Sequence, residues 1–185
     1  MHRTTTALLG LLSMVTLAAA GCRDSGLGAP GSDGSTNLPH GSVQAAVLAD
    51  TTAGDGSITF IVRVMARDVV VSSYQGVVTF TPGAFTLVST STPAGLAGET
   101  YVLNPTGFAE GRIRFAALTT TAFSGVSTGS GVEAFRFTVR PVSLGSQSGG
   151  VTATLEVVGT DLGRAVAADR VLASPGVQML TAPIR

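Results

Sequence analysis

From Ser42 onward, apolar residues recur at every second position over short segments separated by clusters of Gly, Pro, Ser and Thr. Only an extended chain sends alternate side chains to opposite faces, so this period of two dictates β-strands with one buried and one wet face. Segment 57–67, SITFIVRVMAR, shows it most plainly. Ile58, Phe60, Val62, Val64 and Ala66 share one face, and Thr59, Arg63 and Arg67 share the other. Segment 74–80 sets Tyr74, Gly76, Val78 and Phe80 on one side. Residues 81–84 read as a turn, with Pro82 pre-setting φ and Gly83 accepting a positive φ. Phe85, Leu87 and Ser89 then begin the next strand on a common face.

The pattern continues to the end of the chain. Segment 99–104 is a short strand closed by Pro105, and 107–111 is a turn. Segment 112–118, RIRFAAL, points Ile113, Phe115 and Ala117 inward and Arg112 and Arg114 outward. Segment 132–140, VEAFRFTVR, buries Phe135, Phe137 and Val139 and exposes Arg136 and Arg140. In 151–157, Val151, Ala153, Leu155 and Val157 point inward and Thr152, Thr154 and Glu156 outward. Strands over 43–48 and near 177–180 close the ends of the sheets, and 165–172 fits either a strand or a single helical turn. About nine strands with no amphipathic helix predict an all-β fold, an antiparallel β-sandwich of two packed sheets. No repeat of about 20 to 50 residues occurs, which argues against a propeller or solenoid.

The front of the chain differs in kind. Arg3 precedes an apolar run over 7–20, which is shorter than the roughly 20 residues a spanning helix needs. Segment 8–22, LLGLLSMVTLAAAGC, ends in small residues before Cys22, the only cysteine. Ala19-Ala20-Gly21-Cys22 resembles the lipobox of bacterial lipoproteins, with Ala19 where that family usually has Leu. The resemblance implies an export signal over 1–21 and acylation of the Cys22 thiol. Two or more acyl chains on one residue make a stable anchor, where a single chain is marginal. Arg23, rather than Asp, follows the cysteine, and by the same resemblance this points to the outer membrane. Residues 22–41 hold only Leu27 and Leu38 as large apolar groups, too few to offset the ordering of a backbone, and are expected to be a flexible linker. His40 at its end is expected to be a solvated linker histidine. The folded domain is assigned to 42–185.

That domain contains no His, Cys or Lys, so neither a Ser-His-Asp nor a Ser-Lys device can be built from it. Thiolate–imidazole metal sites are excluded on the same ground. Formal net charge of the whole chain is zero, and all eleven of its basic residues are scattered arginines, which argues against nucleic acid. Carboxylates at Asp50, Asp55, Asp68, Glu99, Glu110, Glu133, Glu156, Asp161 and Asp169 offer material for a glycan-acting hydrolase, which needs a facing pair. Most fall in turns or on wet faces, where ordinary surface acids belong. No cofactor is expected. Asp50, Asp55 and Asp161, at strand ends, supply the hard oxygens calcium prefers, but turn-capping explains them more simply. No D-x-[DN]-x-[DN]-G loop occurs.

Two further surfaces are legible. Tyr74 and Tyr101 are the only rings available for stacking on a sugar, with Tyr74 in phase with core residues. Arg63, Arg112, Arg114, Arg136 and Arg140 all point outward and are candidates for a basic sheet face that meets an acidic protein or polysaccharide. Cross-strand pairing with Glu133 and Glu156 would instead make them solubilising groups.

The order of segments is similar to that of cohesin-type domains, in the superfamily of cohesin and carbohydrate-binding-module β-sandwiches. Segment 75–90, QGVVTFTPGAFTLVST, resembles that family's strand, turn and strand, with Thr81 where Asp often precedes the Pro. Segment 111–118, GRIRFAAL, with Phe123-Ser124-Gly125, resembles its central strand and following loop. Segment 131–139, GVEAFRFTV, resembles the strand that ends this block. The resemblance implies a nine-stranded jelly roll that binds another protein through a flat face or loops, a dockerin in the cellulosomal relatives. The expectation is an exported, lipid-anchored, non-enzymatic module with a protein partner. A cell-surface carbohydrate-binding module, a glycan hydrolase and a purely structural envelope protein are the alternatives.

Overall fold

The computed structural model describes residues 38–94, 98–123, 126, 131–142, 150–161, 163–174 and 176–177. The leader, Cys22, most of the linker, and positions 124–125 and 178–180 named above lie outside the described residues.

Nine strands are present among the described residues: β1 (Ser42–Thr52), β2 (Ile58–Arg67), β3 (Val71–Thr79), β4 (Phe85–Ser91), β5 (Glu99–Asn104), β6 (Arg112–Thr119), β7 (Val132–Pro141), β8 (Thr152–Thr160) and β9 (Val171–Leu172). They form a five-stranded sheet, order β4-β7-β2-β1-β9, and a four-stranded sheet, order β5-β6-β3-β8. Sequence neighbours pair directly only at β1–β2 and β5–β6; the other connections cross from one sheet to the other, as in a jelly roll. The ladders are antiparallel except at β9, which runs parallel to β1 through Val43–Val171 and Gln44–Leu172.

The period-two reading holds in β6 and for the inward face of β2, although Ile61 and Met65 on the other face of β2 are buried as well. Phe60, Val62, Val64 and Ala66 are fully buried, and Ile113, Phe115 and Ala117 are buried opposite them. Phe115 of β6 meets Phe135 of β7 across the two sheets at 5.2 Å, and within the five-stranded sheet Phe60 of β2 stacks on Phe137 of β7 at 5.1 Å. Each fully buried Phe contributes about 3 kcal/mol of transfer free energy over an exposed one. The 81–84 turn forms as expected, with Ala84 N–H donating to Thr81 O at 3.2 Å and Gly83 at φ +74°.

Three readings need correction. Val157 was expected to face the core, but a β-bulge where β3 pairs with β8 shifts the phase, so Glu156 and Val157 both face solvent and Val158 is buried. Segment 165–172 is neither of its two alternatives alone: Ala165 bridges Gly159, Ala168–Arg170 forms a 3-10 turn, and β9 follows. The end of the expected linker is docked on the domain. Leu38 is buried against Ala46, Met65 and Leu172 on the outer side of the five-stranded sheet, and Arg67 Nη1 donates to its carbonyl at 2.9 Å. His40 is exposed but not merely solvated, since its ring bonds to the Asp68 carboxylate and to Arg67 Nη2.

Candidate functional site: the outer face of the four-stranded sheet

The outward side of the four-stranded sheet is built by register. One row across all four strands runs Val157, Gln75, Ala116 and Val102. The row on one side holds Ser73, Leu118 and Thr100, and the row on the other holds Thr154, Val77, Arg114 and Asn104. Val102, Leu118 and Val157 are 57%, 59% and 53% exposed, so three of the large apolar side chains in solvent stand in adjacent rows of a single sheet. Apolar groups scattered singly need no explanation, whereas a contiguous group rimmed by polar residues marks an interaction surface.

Toward the other end of β6 the face turns polar. Arg112 follows Arg114 on the same side, paired with Thr79. Between the end of β5 and the start of β6 lies a hollow of about 270 Å³ lined by Asn104, Thr106, Gly107, Glu110, Arg112 and Arg114. Its turn is held locally: Asn104 Oδ1 accepts from the Thr106 N–H at 3.0 Å and the Thr106 hydroxyl at 2.6 Å, an Asx turn. Gly111 closes the following 3-10 turn at φ +78°, where a Cβ would stand 2.2 Å from the Phe80 carbonyl oxygen. Arg112 bonds to Glu110, and Arg114 Nη1 reaches Glu156 Oε2 at 3.5 Å.

The five arginines grouped by the sequence do not form one face. Arg112 and Arg114 belong to the four-stranded sheet, whereas Arg63, Arg136 and Arg140 lie on β2 and β7 of the other. There the arginines of β7 are held by acids. Arg136 forks onto Glu133 at 2.7 and 2.8 Å and reaches Asp50 at 3.0 Å, which keeps its guanidinium above its ordinary pKa, chiefly through the Glu133 bond. Arg140 donates to Asp55 at 2.8 Å. Asp55 also accepts the N–H and hydroxyl of Ser57, so it caps a turn, and its pKa falls to about 2 mainly because of those Ser57 bonds. Among the described residues no three His, Cys, Asp or Glu are grouped as a metal would need.

Neither tyrosine offers an open ring. Tyr74 is 2% exposed and packs on Phe123 at 5.2 Å. Burial holds its phenol far above the ordinary pKa, and its hydroxyl has no hydrogen-bond partner among the described residues. Tyr101 is half-buried against the same core, 6.0 Å from Phe123, with its hydroxyl donating to Glu99 at 3.0 Å. Val102, Leu118 and Val157 were not among the site residues expected from the sequence. The first two carried a signal: each is an apolar residue out of phase with buried neighbours, Val102 between Tyr101 and Leu103, Leu118 after Ala117. Val157 carried none, because the bulge that turns it outward belongs to the pairing.

No protein-family model matches the sequence, and no curated protein does. The fold, by contrast, is that of cohesin modules. A cohesin module from a family 33 glycoside hydrolase of Clostridium perfringens is similar with a TM-score of 0.53 at 13% identity, over 74% of this chain and 96% of that one. A chain of a type I cohesin–dockerin complex from Clostridium thermocellum gives a TM-score of 0.52 at 11% identity, over 75% and 99%. The cohesin-type fold expected from segments 75–90, 111–118 and 131–139 is therefore present.

Proposed function

We propose that this cohesin-type β-sandwich is a protein-binding module, held at the cell envelope by lipid on Cys22, that takes its partner on the outer face of the four-stranded sheet. The observation that carries the reading is the run of Val157, Gln75, Ala116 and Val102 beside Leu118. Val102 and Val157 stand on the edge strands with Ala116 and Leu118 between them, and Glu156, Arg114 and Arg112 lie beside them, so a protein partner would meet apolar groups that exclude water and charges that set its orientation. The opposite sheet presents ion-paired arginines instead, a surface suited to solubility. A dockerin-like partner fits the fold, as the similar chain from a cohesin–dockerin complex suggests.

The role is binding rather than catalysis. The carbohydrate-binding alternative is disfavoured because Tyr74 and Tyr101 are turned into the core. An export signal over 1–21, an acylated Cys22 and a linker ending near residue 37 would carry the module clear of the membrane. Residues 38–41 then lie against the domain at the Ser42 end of β1.

The test is affinity capture with the full-length chain from the envelope and secreted fractions of the source organism, alongside a Val102→Asp/Leu118→Asp bait. A protein retained by the first bait and lost from the second supports the reading. Equal retention on both, or retention of polysaccharide alone, overturns it.

A further inference from the structure

The apolar rows and the polar hollow belong to one surface, joined through Arg114 and Asn104, which pair directly across β5 and β6. We infer that the hollow receives an acidic side chain of the protein partner, so that recognition combines an apolar strip with one carboxylate at its end. This inference rests on the proposed binding face and adds the chemistry of what docks there.

Three observations converge on a carboxylate. The first is donor supply. A guanidinium carries five N–H donors in a fork matched to a carboxylate. Among the described residues Arg112 has one acidic partner, Glu110, and Arg114 has one, Glu156, at the outer limit of hydrogen bonding. With its carbonyl oxygen already taken by Thr106, Asn104 has its amide NH₂ left to donate.

The second is charge. The hollow's own lining, two guanidiniums and the Glu110 carboxylate, is singly positive, with Glu156 outside it and 3.5 Å from Arg114 Nη1. That suits a monoanion, whereas a phosphate dianion would meet Glu110 with excess negative charge. A free anion would also gain nothing from the nearby Val77 and Val102 side chains, whereas a protein segment gains from them as well.

The third is preorganisation. Gly107 lies beneath the Arg112 stem, where a Cβ would come within 2.7 Å of Arg112 Cγ and 3.0 Å of Nε. A glycine there lets the stem lie against the turn while Glu110 holds its tip, so less side-chain freedom remains to be lost on binding.

The placement also separates the hollow from the tether. The chain enters at Ser42, paired with Arg67 just before β3, at the Leu118 end of the face. Arg112 is six residues along β6, about 20 Å away at a strand's rise. The carboxylate-binding end therefore points away from the side on which the linker arrives.

The experiment is selection of a displayed library of random dodecapeptides on the immobilised full-length chain, with clones re-tested against two variants. One is Arg112→Gln/Arg114→Gln, the other Leu118→Asp, each checked for unchanged circular dichroism. The inference expects clones enriched in Asp or Glu beside apolar residues, weakened about tenfold or more by the double Gln variant, and weakened further by raising salt. Clones lost on Leu118→Asp but without acidic enrichment, and indifferent to the Gln pair, overturn the inference and leave the face standing. Clones indifferent to Leu118→Asp overturn the face itself. Acidic clones that bind the Gln pair undiminished place the carboxylate elsewhere and also overturn it.

Discussion

Gln75 of β3 pairs with Val157 of β8 at a β-bulge, and the extra residue there turns Val157 out of the core into the exposed row. Without it, strict alternation would leave Val157 inward and Val158 outward, so the bulge decides which of the two valines the face presents. The bulge thus repositions a side chain at the surface proposed to bind, a recurrent use of such irregularities.

Adjacent valines should therefore respond in opposite ways. Val157→Asp is expected to leave the urea midpoint within the range of a surface change, about 0.5 kcal/mol. Val158→Asp buries an unpaired carboxylate at a position only 1% exposed and is expected to abolish cooperative folding. Urea unfolding followed by circular dichroism decides; equal tolerance of both would refute the phase shift.

The two tyrosines provide a test in alkali. Burial and the Glu99 bond push Tyr101 up to about 12 from an ordinary 10.0, and burial holds Tyr74 higher still. A phenol whose folded pKa is raised stabilises fully below the unfolded value, and that stability is lost as pH rises from 10 through 12. Tyrosinate absorbance should stay flat through pH 10 and then rise together with unfolding. A tyrosine titrating near 10 in the folded chain would mean an exposed ring and would revive sugar stacking.

Asp55 behaves oppositely in acid. Its pKa is lowered from 3.8 to about 2 by the Ser57 bonds and Arg140. A depressed carboxylate contributes stability above the unfolded value, lost as pH falls through the folded one. Asp55→Asn should accordingly be less stable than the parent near neutral pH, with the gap closing between about pH 4 and pH 2. A gap that does not change with pH would mean that the charge plays no part.

Gly76 tests the closeness of the inward face. A Cβ there would come within 2.5 Å of the Thr154 carbonyl oxygen and 2.6 Å of Phe115 Cζ. Gly76→Ala should cost about 1–3 kcal/mol through overpacking, read from the thermal or urea midpoint. A neutral result would show that β3 and β8 do not approach as described.

How much of this was legible depended on whether the information was local. Ile58 through Ala66 and Ile113 through Ala117 announced their inward face because alternation is a property of one strand. The bulge at Val157 was not legible, since it is created by pairing with β3. The arginines were misgrouped for a related reason. Alternation says that Arg112 and Arg136 both point outward, but only the strand order reveals that β6 and β7 lie in different sheets. Leu38 was read as linker because a lone leucine among Gly and Ser shows no partner. Met65 and Leu172, far along the chain, supply it together with Ala46.

The most direct measurement is the dissociation constant between the chain and its captured partner for Leu118→Asp and for Val88→Asp. Both residues are over half exposed, but Val88 lies on β4 of the other sheet. The binding face proposed here requires Leu118→Asp to weaken the complex by about thirtyfold or more, a hot-spot effect of about 2 kcal/mol, and Val88→Asp to leave it unchanged. Equal effects, or a loss confined to Val88→Asp, would contradict it.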